Sequence, residues 1–137
     1  MNIQHAPASL NEVRLAVLRQ HTQLAQLLDE LEQQASAVIG GSVVDGVPPL
    51  EDALGMLLMR LSQHLDYKEA HLPRWIPSPT RAELLSDHEE QRQRALGLVH
   101  DRDVFSDPRT LAREALAFVH ALRKDIASEE EELRALG

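Results

Sequence analysis

Apolar residues recur along most of this chain at steps of three and four, the spacing of one helix face. From Leu10 the row runs through Val13, Val17, Leu24, Leu28, Leu31, Ala35 and Val38, with His21 as its one polar member. A second row holds Leu54, Leu57, Leu58 and Leu61, then continues into His64, Lys68 and finally His71 with Leu72. A third holds Leu84, Leu85, His88, Gln91 or Arg92, Ala95, Leu98 and Val99. The fourth holds Leu111, Ala115, Phe118, Leu122, Asp125 with Ile126, Glu129, Leu133 and Leu136. No stretch alternates with the period of a strand.

The boundaries are marked by capping chemistry. Ser9-Leu10-Asn11-Glu12 and Thr80-Arg81-Ala82-Glu83 read as capping boxes. Gly40-Gly41 suits a helix C-terminus. Pro48-Pro49 before Glu51 and Asp52, and Asp107-Pro108, suit helix starts. Pro73 distorts the last turn of the second helix, and 75–79 form a rigid connector. The predicted helices cover about 9–39, 49–74, 80–103 and 107–136. Residues 1–8 form a loose tail, and 42–48 a valine-bearing loop over one end of the domain. Short connections imply an all-α fold, an antiparallel up-down four-helix bundle over 9–137.

Composition agrees with this picture and excludes several functions. The chain has 137 residues, enough for one core, and only 3% aromatics, so Leu, Ala and Val must fill it. There is no cysteine, which removes thiolate ligands, disulfides and cysteine nucleophiles. A net charge of −8 disfavours nucleic acid and anionic membranes as partners. No apolar run approaches a membrane span and no signal-peptide pattern opens the chain, so the expected location is cytoplasmic. Ser36, Ser62 and Ser86 lack a base partner in the pattern, so no enzyme is expected. Trp75 and Ile76 suit either a protein interface, including one between copies of this chain, or a cover for the bundle end.

The polar members of the apolar rows carry the chemistry. His21, His64 with Lys68, His88 with Arg92 at its edge, and Asp125 with Glu129 come from all four helices, where buried polar groups are costly unless paired or coordinating. Imidazoles and carboxylates converging from facing helices are how bundles hold metal ions. His120 falls off the fourth row, about 140° from Asp125 on an ideal helix. Glu130 and Glu131 are expected in solvent.

These segments resemble the hemerythrin-like family, the HHE cation-binding domain, over about residues 10 to 136. LRQHTQLAQLLDELEQ is similar to its first helix, LSQHLDYKEAHLP to its second, LLSDHEEQRQRAL to its third and LRKDIASEEEEL to its fourth. The resemblance implies a non-haem di-iron centre and links to O₂ binding, iron or oxygen sensing, and nitrosative or oxidative stress. It aligns His21, His64, His88 and Glu129 with ligand positions. Lys68 stands where a bridging Glu is expected, Asp125 where a His is expected, and Arg92 where some members carry a further His.

An ammonium in place of a bridging carboxylate moves the site charge by two units the wrong way for two adjacent cations. An intact di-iron centre is therefore not expected unless Glu69 turns inward at a π-bulge. Two readings stay open. In one, a single ion such as iron or zinc is held by some of His21, His64, His88, Asp125 and Glu129, with O₂ or NO as further ligands. In the other, the metal is lost, Lys68 pairs with Asp125 or Glu129, and the domain is an interaction or regulatory module.

Overall fold

The computed structural model describes residues 9–41, 47–76, 78–100 and 107–136. The tail at 1–8, the valine loop from 42 to 46, Pro77 and the expected extension of the third helix beyond His100 lie outside the described residues, as do the side chains of 47–49, 78–79, Val99 and His100.

Four helices form an antiparallel bundle: α1 (Leu10–Gly40), α2 (Val47–His71), α3 (Ser78–His100) and α4 (Pro108–Ala135). Local chemistry sets their ends. Ser9 caps α1 by accepting a hydrogen bond from the Glu12 N–H at 3.1 Å. Gly41 closes it with φ of 69°, a left-handed conformation that suits a residue without Cβ. Asp107 caps α4 by accepting from the Arg109 N–H at 3.1 Å, with Pro108 in the first turn. Ahead of Pro73, α2 ends at His71 and the chain passes into a 3₁₀ turn, Pro73–Trp75. At the next helix, α3 starts at Ser78, so Thr80 lies inside its first turn.

The apolar rows face inward as helical period dictates. On α1 every expected position from Val13 to Val38 is buried, His21 included. On α4 the buried set is Leu111, Ala112, Ala115, Phe118, Val119, Leu122 and Leu133. Leu85 departs from expectation: it is 48% exposed. The buried face of α3 centres on His88, Gln91, Ala95 and Leu98, and Leu85 lies about 100° from that centre.

Helix α1 packs along both α2 and α4, whereas α3 lies less closely against α4 and α2. The core is divided into two apolar bodies. The larger includes Leu28, Leu57, Leu61, Phe118 and Leu122. The smaller consists of Val13, Val17, Leu72 and Leu133, with Tyr67, Trp75, Ile76 and Leu136 packed against it. Between them lies a layer of polar side chains from every helix.

Candidate metal centre

Glu129 of α4 is the hub of that layer. Its Oε1 accepts from His21 Nε2 at 2.7 Å and faces His64 Nε2 at 3.2 Å. Its Oε2 accepts from the Lys68 ammonium, and Lys68 is 0% exposed. Each of these groups is inward because it falls on a helical step of an apolar row: His21 between Val17 and Leu24, His64 after Leu61, Glu129 before Leu133. The His21 and His64 rings meet edge to face with centroids 4.9 Å apart. Candidate donor atoms of His21, His64 and Glu129 all lie within 4.8 Å of one another, a group that could hold a metal ion.

The outer nitrogens of the three buried imidazoles are also tied down. His21 Nδ1 meets Glu130 Oε2 at 2.8 Å, His64 Nδ1 meets Gln20 Oε1 at 2.6 Å, and His88 Nδ1 meets Glu69 Oε2 at 2.9 Å. Each of these oxygens holds Nδ1 at the outer side of its ring, which turns Nε2 into the layer. His88 Nε2 is buried and has no hydrogen-bond partner among the described residues.

Electrostatics follow from this arrangement. Burial would raise the Glu129 carboxyl, but the hydrogen bonds from His21 and His64 and the Lys68 charge hold it well below the usual carboxylate range. Burial lowers the affinity of His64 for a second proton, and the nearby Lys68 charge adds to this. Burial and then Lys68 do the same at His88. Both imidazoles are kept neutral at neutral pH, the form that offers a lone pair.

The other sequence candidates lie around this cluster. Asp125 faces outward, 38% exposed and 3.8 Å from Arg94, and its carboxyl is raised by burial. Arg92 forms a fork on Glu69, at 2.7 and 3.2 Å, and reaches Asp66 at 2.9 Å. Glu69 is thereby held on the α2–α3 face, below the usual carboxylate range, and α2 runs through Lys68 and Glu69 as uninterrupted α-helix. His120 is exposed.

Gln20 and Glu130 escape a reading based on the apolar rows. Each stands one position from a candidate ligand, at the edge of its helix. Glu130, expected in solvent, reaches His21 and is 34% exposed. The available signal was adjacency: a polar residue with a long side chain directly before His21, and another directly after Glu129.

The chain belongs to the hemerythrin HHE cation-binding domain family, whose pattern matches residues 15–136. No curated protein and no solved structure shows a significant match. Among the described residues, no helix is long and apolar enough to cross a membrane.

Proposed function

We propose that this domain binds one divalent cation, with His21, His64 and Glu129 as its ligands and the Lys68 ammonium standing where a second cation would sit. The observation that carries this reading is the orientation of the imidazoles. All three buried rings are anchored outward at Nδ1, by Glu130, Gln20 and Glu69, which leaves Nε2 for the layer. Metal-ligating histidines are oriented in this way.

The donor set suits one ion and not two. Lys68 occupies Oε2 of Glu129, so Oε1 is the oxygen left to the two histidines. Arg92 is turned to Glu69 and Asp66, and Asp125 to Arg94, so neither completes a second donor set around His88. Two imidazoles and one carboxylate match the donors of open zinc sites and of non-haem ferrous sites. Such an ion supplies Lewis acidity and, if ferrous, affinity for O₂ or NO, which fits a sensing role. The protein's part is to fix the ligands, exclude bulk water and balance charge.

A metal-free reading draws on one specific contact, the buried Lys68–Glu129 ion pair, which closes the layer without any ion. Elemental analysis on protein expressed with ample iron and zinc separates the two. One ion per chain is expected in the wild type, none in His64→Ala, and two in Lys68→Glu/Asp125→His. A wild type with no metal supports the metal-free module; two ions in the wild type would overturn the role given to Lys68.

A further inference from the structure

Two clefts lead from solvent to the polar layer, and their walls carry opposite charge. The cleft between α1 and α2, about 420 Å³, reaches His64 past Arg19 and Arg60, with Gln20, Gln23 and Gln63 beside them. The cleft between α3 and α4, about 270 Å³, reaches Glu129 and His88 past Asp87, Asp125 and Glu132. A neighbouring hollow toward the bundle end shares Asp87, Glu129 and Glu132 and adds Glu83. Arg94, which also lines the α3–α4 cleft, is drawn to Asp125 at 3.8 Å.

An acid-lined groove alone would be only a solvated face. His88 supplies the independent observation. It lines the same cleft and is 1% exposed, and its Nδ1 is committed to Glu69. Its Nε2 is buried and has no partner among the described residues. A buried polar atom without a partner is costly, and an imidazole nitrogen in that position is a ready cation donor.

We propose that divalent cations reach His21, His64 and Glu129 through the α3–α4 cleft. Asp87, Asp125 and Glu132 draw the cation in, and His88 Nε2 is the transfer donor at its inner end. The proposal rests on the single-ion reading above. Charges of one sign on a cleft with low-dielectric walls concentrate the field and raise the capture rate of an opposite ion. Arg19 and Arg60 act against the same ion at the other opening. Glu129 belongs to both the cleft and the cage, so a cation handed inward meets its final carboxylate without crossing apolar core.

The test is the rate at which chelator-stripped full-length protein takes up Co²⁺, followed by visible absorption after rapid mixing at low ionic strength. Asp87→Asn/Glu132→Gln is compared with Arg19→Gln/Arg60→Gln, all four positions being outside the ligand set. The acidic pair should slow uptake by about three- to tenfold and flatten its salt dependence, with a much smaller change in equilibrium affinity. The arginine pair should leave uptake within about twofold of wild type. An acidic variant as fast as wild type, or a larger effect of the arginine pair, overturns the route while leaving the single-ion reading intact. A wild type that binds no Co²⁺ at equilibrium overturns both.

Discussion

Lys68 and Glu129 meet across the bundle, ammonium against Oε2, with Lys68 wholly removed from solvent and the hydrogen bonds of His21 and His64 on the other oxygen. The pair is stabilising only as a pair. Removing one partner strands a buried charge, whereas removing both with apolar residues of similar size is close to neutral. Lys68→Ala in metal-free protein is expected to lower the unfolding free energy by about 3–5 kcal/mol. Lys68→Met/Glu129→Leu should lose markedly less. Urea denaturation of the three proteins decides this; equal losses in the single and double variants would show that the ion pair is not the stabilising unit.

The acceptors behind the imidazoles should tune affinity and leave the fold intact. Gln20→Ala removes the Nδ1 partner of His64 and Glu130→Ala removes that of His21. Each is expected to weaken metal binding by about 10- to 100-fold. Competition with a chelator gives the affinity, and circular dichroism confirms that the helices persist. An unchanged affinity in both variants would remove these residues from any role in orienting the ligands.

Loading the site should appear as thermal stability. A ligand at about 100 times its Kd adds about 2.7 kcal/mol to the folded state, and for a domain of this size that corresponds to roughly 10 °C in Tm. The wild type is expected to gain this increment with Zn²⁺ and lose it on chelation. His64→Ala, which lacks one of the three clustered donors, should melt at the same temperature with and without the ion.

Outside the polar layer, Arg123 of α4 clips α1 by donating to Glu32 at 3.1 Å and to Asp29 at 2.7 Å. Those hydrogen bonds hold the Glu32 carboxyl below its ordinary value of 4.5. Between the two values the unfolded chain binds more protons, so stability there rises with pH. The contribution is complete above the ordinary value and is lost as pH falls through the depressed one. Glu32→Gln should therefore differ most from wild type near neutrality and converge with it in acid, with a gap that narrows at high salt. A gap that widens in acid would contradict the assignment.

The bundle was legible because burial in helices follows period, and the rows of α1 and α4 keep their period through the polar layer. His21, His64 and Lys68 were legible for the same reason: each fills an apolar slot. What period does not encode is reach. Glu130 and Gln20 sit at helix edges, and only the length of their side chains brings them to a ring. Asp125 shares the fourth row with Glu129, yet that row spans enough of the helix surface for one carboxylate to turn inward and the other toward Arg94. Leu85 is exposed because the buried face of α3 is narrower than its apolar residues suggest. The start of α3 was shifted because Ser78 and Pro79 open the helix before Thr80.

The division of the core by a hydrophilic layer has a mechanical consequence. Val13, Val17, Leu72 and Leu133 form a small cap beyond the layer, and the larger apolar body lies on the other side. This cap joins the ends of α1, α2 and α4 with far fewer buried apolar side chains than the larger body, so it is expected to open locally more often than that body. An ion held by α1, α2 and α4 would act as a rivet at the joint, stiffening the far end of the bundle without touching it. The state of the site would then be written on the surface as the opening frequency of the cap, where amide exchange of the last turns of α2 and α4 can read it.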